Sequence, residues 1–183
     1  MGSHGALTQR AVFLDRDGVI TRAVVKNGRP HPPDELRDLE ILPDVADALT
    51  RLRAAGYQLI VVTNQPDVAR GTQRRDVVDS MHAHLRALLP LDEIRVCYHD
   101  DRDHCGCRKP EPGLLLDAAH EHGLDIRACF MVGDRWRDVE AGRRAGCATV
   151  FIQRHYTERQ PDDYTVAVDS LAEAADWILC NRA

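Results

Sequence analysis

Two aspartates stand one residue apart near the start of the chain, directly after a short apolar run. Asp15 and Asp17 follow residues 11–14, and Gly18 lets the backbone turn immediately afterwards. Because side chains alternate along extended backbone, both carboxylates can face one reacting group. Such a pair can divide the chemistry, with one carboxylate attacking or binding a metal and the other moving protons. The alternative is an Asx-turn at a strand end, which uses the same residue types.

Other polar or charged side chains follow three later apolar segments. Thr63 and Asn64 end one segment, and Asp134 ends another. Arg108 and Lys109 come after a third, beyond a cysteine-rich stretch. Open α/β folds bind ligands at the edge where the carboxyl ends of parallel strands meet. Turns and surfaces also use these residue types, but their joint placement favours one shared site.

A second group of chemically capable residues lies just before Arg108. Cys97, His99, Cys105 and Cys107 fall within eleven residues, and three thiolates with one imidazole complete a tetrahedral zinc set. A closed set of four protein ligands indicates structural rather than catalytic zinc. The alternative is a group of buried thiols, because the spacing is unusual for a zinc finger. If zinc is bound, it fixes the loop that presents Arg108 and Lys109.

The elements that must position these residues alternate along the chain. Apolar, β-rich runs are separated by segments with helical spacing, and this pattern predicts a doubly wound parallel sheet of the α/β class. The segment from Arg22 to Asp38 is rich in turn formers, and we interpret it as a long ordered loop or small flap over the strand edge. Nothing between the motifs is long enough for a large cap domain. Strands are predicted at residues 11–14, 57–63, 94–98, 129–132, 149–152 and 165–168, and helices at 43–56, 72–89, 112–123, 139–145 and 171–179.

Length and composition indicate a single soluble domain. The chain has 183 residues and a formal net charge of −5, and no apolar run approaches the roughly 20 residues of a membrane span. The acidic balance argues against nucleic-acid and anionic-membrane partners. The cysteine pattern is typical of a reducing compartment. We therefore expect a cytoplasmic monomer, with residues 1–9 a flexible terminus or tag remnant.

The ordered motifs resemble those of the haloacid dehalogenase superfamily of phosphotransferases. The resemblance implies that Asp15 is the nucleophile that forms an aspartyl-phosphate, and that Asp17 protonates the leaving oxygen and later activates water. It also implies Mg²⁺ held by Asp15, Asp134 and the backbone carbonyl of Asp17. The Thr63 hydroxyl and Lys109 would bind the transferring phosphoryl oxygens. The matching motifs are residues 15–19, Thr63, residues 107–110 and residues 133–138.

Within the superfamily, the cysteine cluster resembles the zinc-loop group of D-glycero-D-manno-heptose 1,7-bisphosphate phosphatases and histidinol-phosphate phosphatases. Residues 62–65 and 108–113 favour the heptose enzymes. That resemblance places Asn64 and Arg108 at the substrate, with Arg108 recognising the sugar or its second phosphate. The short spacing between His99 and Cys105 is closer to the histidinol-phosphate group.

The expected substrate is therefore a small phosphorylated metabolite, with the heptose bisphosphate first and histidinol phosphate as the alternative. A polynucleotide 3′-phosphatase and an inactive zinc-stabilised binding module are less favoured alternatives. The flap carries Lys26, Arg29 and His31, which either line the substrate pocket or are solvated. Asp138 either supports the metal or orients Lys109. The histidines of the predicted helices, among them His82, lack ligand spacing, and we interpret them as surface or core-edge residues.

Overall fold

A six-stranded parallel sheet forms the centre of the molecule, and a separate hairpin lies beside it. The computed structural model describes residues 9–181. The strands are β1 (Ala11–Leu14), β2 (Val24–Lys26), β3 (Arg29–His31), β4 (Gln58–Asn64), β5 (Glu93–Cys97), β6 (Phe130–Gly133), β7 (Ala148–Ile152) and β8 (Val166–Val168). The helices are α1 (Val45–Ala54), α2 (Arg75–Leu88), α3 (Gly113–His122), α4 (Trp136–Ala145) and α5 (Leu171–Cys180).

The strand order in the sheet is β5-β4-β1-β6-β7-β8, with every neighbouring pair parallel. β1 is completely buried because it lies between β4 and β6 and is covered on both faces. One face packs against α1 and α5, and the other against α3 and α4. The predicted doubly wound sheet without a large cap is confirmed. None of the helices within residues 9–181 is long and apolar enough to cross a membrane.

Two helix starts differ from the sequence prediction by three residues. Thr72 does not cap α2, which begins at Arg75; its hydroxyl instead donates to the Asp67 carbonyl within the preceding turn. α4 begins at Trp136 rather than at Val139, since Asp138 accepts from the backbone N–H of Arg135 over 3.0 Å and so stabilises an earlier first turn. The strand predictions agree to within a residue. The predicted flexible start lies mostly outside the described residues.

The predicted flap contains an antiparallel hairpin, β2–β3. Asn27 and Gly28 both have positive φ angles, 52° and 71°, which is the backbone that a tight two-residue hairpin turn requires. The turn is tied to a distant loop because Thr157 N donates to Gly28 O over 2.8 Å. Gln73 ties the end of the flap by donating to the carbonyls of Pro33 and Asp34. The hairpin therefore has fixed contacts at both ends.

Candidate active site

Three central strands deliver carboxylate or hydroxyl groups to one edge of the sheet. Asp15 directly follows β1, Asp134 directly follows β6, and Thr63 is the penultimate residue of β4. Each of these side chains is at least nine-tenths buried. The parallel register of β1 with both neighbours brings their carboxyl ends together, as the sequence predicted.

Lys109 reaches this edge from the loop that follows the cysteine cluster. Its Nζ lies 2.8 Å from Asp15 Oδ1 and 2.6 Å from Asp138 Oδ1, and it donates to Val62 O over 2.8 Å. Burial would lower the pKa of Lys109, but the charges of Asp138 and Asp15 outweigh it and raise that pKa. The ammonium therefore stays protonated. The contact with Asp138 is the one that its predicted role of orienting Lys109 requires.

The same edge carries more negative than positive charge. Asp15, Asp134 and Asp138 offer oxygens that all lie within 4.8 Å of one another, and Lys109 is the cation bonded among them. Burial, opposed by Lys109 and assisted by the other carboxylates, raises the pKa of Asp15 to about 6. Burial and the charges of Asp15 and Asp138 raise the pKa of Asp134 well above its ordinary value. A divalent cation would balance this charge.

Asp134 is the carboxylate most open to a metal. Its Oδ1 is buried and has no hydrogen-bond partner within the described part of the chain, while its Oδ2 accepts from Tyr156 Oη over 2.7 Å. Gly18 passes so close that a Cβ there would lie 1.8 Å from Asp134 Oδ2. Carboxylate oxygens are the ligands that Mg²⁺ prefers. The residues present therefore fit a magnesium ion held by Asp15 and Asp134.

Asp17 is held separately from this cluster. Arg16 binds its carboxylate through two parallel hydrogen bonds, of 3.0 Å to Oδ1 and 2.8 Å to Oδ2. Thr21 Oγ1 donates to Oδ1 over 3.2 Å, and Gln65 Nε2 donates to Oδ2 over 3.0 Å. All four contacts are donors, so Asp17 is held as a hydrogen-bond acceptor.

Thr63 and Asn64 have different surroundings, although both line the site. The Thr63 hydroxyl accepts from Gln65 Nε2 over 2.9 Å and is free to donate toward the cavity. The Asn64 amide is paired with the backbone of Lys109: its Nδ2 donates to Lys109 O over 3.0 Å, and its Oδ1 accepts from Lys109 N over 3.1 Å. Asn64 therefore connects β4 to the loop that carries the lysine.

A cavity of about 270 Å³ opens above Asp15 and has a strongly basic wall. Asp101 braces two of its arginines, accepting from Arg108 Nε over 2.8 Å and lying 3.3 Å from Arg137 Nη1. Arg108 Nη1 is buried and has no partner among the described residues. From the flap, Arg29 and His31 line the cavity, whereas Lys26 is absent from the lining and pairs with Asp34. The cationic lining residues are Arg29, Arg70, Arg108, Lys109, Arg135 and Arg137.

The four predicted zinc ligands come together beside this wall. Cys107 Sγ lies 3.3 Å from Cys97 Sγ, 3.4 Å from Cys105 Sγ and 3.3 Å from His99 Nδ1. A zinc ion with bonds of about 2.3 Å to sulfur separates its ligands by roughly 3.8 Å, so the four atoms already surround a site of nearly that size. Burial would raise the pKa of Cys105, but hydrogen bonds from Cys107 and Cys97 outweigh it and lower that pKa to about 7.

Four residues near the site were missed or given no role from the sequence. Gln65 bridges Asp17 and Thr63, and Tyr156 holds Asp134. Arg16 is fully buried, and His82 contacts it from α2. A charged residue between two motif aspartates was a visible signal for Arg16. The partners of Tyr156 and His82 lie 22 and 66 positions away, so no local pattern marked them.

The sheet topology and the buried carboxylates around Lys109 are those of an α/β enzyme whose site is built on aspartates. The HAD-hydrolase-like family model matches residues 106–174. Curated relatives are at least 30% identical over nearly the whole chain. The chain belongs to the haloacid dehalogenase-like hydrolase family.

Two of these relatives are named as heptose-1,7-bisphosphate 7-phosphatases. The chain is 35% identical to the D-glycero-D-manno-heptose-1,7-bisphosphate 7-phosphatase of Thermosynechococcus vestitus, over 94% of this chain and 97% of the relative. It is also 35% identical to the D-glycero-beta-D-manno-heptose-1,7-bisphosphate 7-phosphatase of Escherichia coli K12, over 94% and 90%. The solved D,D-heptose 1,7-bisphosphate phosphatase of B. bronchiseptica, complexed with magnesium and phosphate, superposes with a TM-score of 0.81 at 29% identity. That superposition covers 94% of this chain and 99% of the other.

Proposed function

We propose that this chain is a Mg²⁺-dependent phosphatase that removes the 7-phosphate from D-glycero-D-manno-heptose 1,7-bisphosphate through an aspartyl-phosphate. The observation that carries the proposal is the position of Asp15, whose carboxylate lies beside Lys109 at the base of a cavity lined by arginines. The relatives named for this activity match nearly the whole chain. They favour the heptose substrate over histidinol phosphate.

In the first step, an Asp15 oxygen attacks phosphorus. The new Asp15–phosphorus bond forms as the ester bond to the sugar oxygen breaks, and the Asp17 carboxyl gives its proton to that oxygen. Lys109 and the Thr63 hydroxyl hold the non-bridging phosphoryl oxygens, where negative charge accumulates. Mg²⁺, when held by Asp15 and Asp134, offsets the repulsion between the attacking carboxylate and the phosphate.

In the second step, water attacks the same phosphorus. The Asp17 carboxylate takes a proton from this water, the Asp15–phosphorus bond breaks, and inorganic phosphate leaves with Asp15 restored. The two hydrogen bonds from Arg16 keep the Asp17 carboxylate in place for this proton transfer. Asp138 keeps Lys109 protonated and directed at Asp15 throughout.

The basic wall supplies recognition of the second phosphate. Arg108 and Arg137, both braced by Asp101, offer planar guanidinium groups suited to phosphate oxygens. Arg29 approaches the same cavity from the hairpin. Zinc held by the four-residue cluster at Cys97, His99, Cys105 and Cys107 would keep the loop bearing Arg108 and Lys109 rigid. The free thiols suit a reducing, cytoplasmic setting, and a monomer without nucleic-acid partners remains our expectation.

The experiment that tests the substrate is phosphate release, with Mg²⁺ present, from a matched panel. The panel contains both anomers of the heptose 1,7-bisphosphate, the heptose 1-phosphate and 7-phosphate, histidinol phosphate and a 3′-phosphorylated oligonucleotide. We expect kcat/KM to be highest for one bisphosphate anomer. A higher value for histidinol phosphate or the oligonucleotide would overturn the substrate, and release from none of them would overturn the phosphatase proposal.

Two hairpin variants refine this test. Arg29→Gln removes a cation that lines the cavity, while Lys26→Gln removes one on the same hairpin that does not. We expect Arg29→Gln to raise KM for the bisphosphate by roughly threefold to tenfold, and to change KM for the 7-phosphate little. Lys26→Gln should leave both unchanged. Equal effects of the two substitutions would contradict a role for the hairpin in binding the second phosphate.

A further inference from the structure

Arg16, which separates the two motif aspartates, has no solvent-exposed surface. The chain bends at Arg16, after the end of β1, and the guanidinium lies against the neighbouring Asp17 carboxylate. Its Nε donates to Asp17 Oδ1 over 3.0 Å and its Nη2 to Oδ2 over 2.8 Å. Two parallel bonds of this kind fix both the position and the plane of a carboxylate.

The third nitrogen of the Arg16 guanidinium is held by a histidine on α2. Arg16 Nη1 lies 2.9 Å from His82 Nε2, and the ring of His82 is buried. Because a guanidinium can only donate, His82 Nε2 must accept, and the neutral ring then carries its proton on Nδ1. Burial, with the Arg16 charge adding to it, lowers the pKa of His82 to about 4, so the ring stays neutral at physiological pH.

Asp17 reaches the cavity, although both of its oxygens already accept hydrogen bonds from the protein. Arg16 and His82 do not line the cavity. The pair therefore approaches the carboxylate from the protein interior rather than from the cavity. A buried ion pair is a weak source of net stability, because the loss of hydration offsets the attraction. The clearer effect of the Arg16–Asp17 ion pair is that it fixes the position of the Asp17 carboxylate.

We propose that Arg16 and His82 are positioning residues that fix the Asp17 carboxyl group for proton transfer to the leaving oxygen and from the attacking water. The inference rests on the proposed function, in which Asp17 is the acid and base. It adds a second layer behind Asp17: the His82 ring holds the guanidinium, and the guanidinium holds the carboxyl group. Neither residue touches the substrate, so both act through Asp17.

The test compares substrates that differ in their need for a proton. An alkyl ester such as the heptose bisphosphate releases an alkoxide, which must be protonated, whereas para-nitrophenyl phosphate releases a stable phenolate. Each kcat/KM value reports the steps up to transfer to Asp15, and the ratio between the two esters reports the proton delivered to the leaving oxygen. We expect His82→Phe, which removes the acceptor, to lower kcat/KM roughly tenfold to a hundredfold for the alkyl ester and by less than about threefold for the aryl ester.

Two further variants keep the test decisive. His82→Gln retains an acceptor oxygen and should recover most of the alkyl-ester activity. Arg16→Lys keeps the charge but loses the two parallel bonds, so it should show the same selective loss even if His82→Phe does not fold. Val78→Ala, a buried position on α2, is the packing control and should affect both substrates equally.

The inference fails if His82→Phe and Arg16→Lys lower both activities by the same factor, or if His82→Gln behaves like His82→Phe. These outcomes would leave Arg16 and His82 with a structural role only, and the proposed function would stand. Wild-type protein that hydrolyses neither ester would instead overturn the proposed function.

Discussion

Asp15 is the residue on which the chemistry and the electrostatics both depend. Its carboxylate faces Lys109 on one side and two further buried carboxylates on the other. Burial raises its pKa to about 6, and the Lys109 charge only partly opposes this. Without a metal ion, the ionised Asp15 carboxylate is therefore less stable in the folded protein than it would be in water. The features that make Asp15 a nucleophile also make it a source of instability.

Replacing Asp15 with Asn should separate these two properties. The variant cannot form the aspartyl-phosphate, so kcat should fall by at least roughly a thousandfold. The amide preserves the shape of the side chain, so we expect the fold to persist. Activity near that of wild type, measured as phosphate release from the heptose bisphosphate, would exclude a covalent role for Asp15.

The same variant gives a pH dependence of stability. A carboxyl whose folded pKa, about 6, exceeds its unfolded value of 3.8 binds its proton more tightly when folded. Its stabilising contribution is present at low pH and is lost as the pH rises from about 4 to about 6, by roughly 2–3 kcal/mol. In metal-free buffer, the free energy of unfolding of Asp15→Asn minus that of wild type should therefore increase as the pH rises across this window. A constant difference between the two would contradict the raised pKa.

The site residues that could be predicted from the sequence are those whose residue type and position after an apolar run indicate a role. Asp15, Thr63, Lys109 and Asp134 each follow an apolar strand, and the parallel sheet brings them to one edge. The Asn64 amide illustrates the limit. The sequence placed it at the substrate, and its hydrogen bonds to the Lys109 backbone depend on a contact across 45 positions.

Among the elements, the strands were predicted most closely, because buried parallel strands read as continuous apolar runs. The helix starts were less accurate. Residues 136–138 at the start of α4 give no hydrophobic periodicity that would mark a helix. The contact between the Arg135 backbone and Asp138 that stabilises this start leaves no hydrophobic signal in the sequence. The flap was identified by its turn formers, and its hairpin follows from Asn27 and Gly28. Which of its cations line the cavity depends on strand pairing and on the contact with Thr157.

The cysteine loop is the element that links metal content to activity. Cys107 contacts the other three ligand atoms of its cluster and immediately precedes Arg108. Cys107→Ser should abolish stoichiometric zinc binding and lower kcat/KM for the bisphosphate by roughly tenfold or more, since Arg108 and Lys109 lose their rigid support. Zinc measured by elemental analysis alongside kinetics checks both effects.

A matched substitution elsewhere controls for the loss of a thiol. Cys180 is exposed on α5, far from the cluster in sequence, and Cys180→Ser should change neither zinc content nor kcat/KM. If Cys107→Ser lost its zinc but kept wild-type kinetics, the loop would not depend on the metal for its support of Arg108 and Lys109.

At the scale of the whole molecule, the fold gathers three buried carboxylates at one edge of the sheet, two at strand ends and Asp138 on α4. Mg²⁺ should return the stability that this arrangement costs. A ligand that binds only the folded state adds about 2.7 kcal/mol at a hundred times its Kd. For a domain of this size, the melting temperature should rise by roughly 5–10 °C. Asp134→Asn, which alters the carboxylate with the unpartnered buried oxygen, should lose most of that rise. Val78→Ala should retain the Mg²⁺-induced rise in melting temperature. Calorimetry with and without Mg²⁺, in the absence of substrate, measures this rise. A rise of wild-type size in Asp134→Asn would place the metal elsewhere.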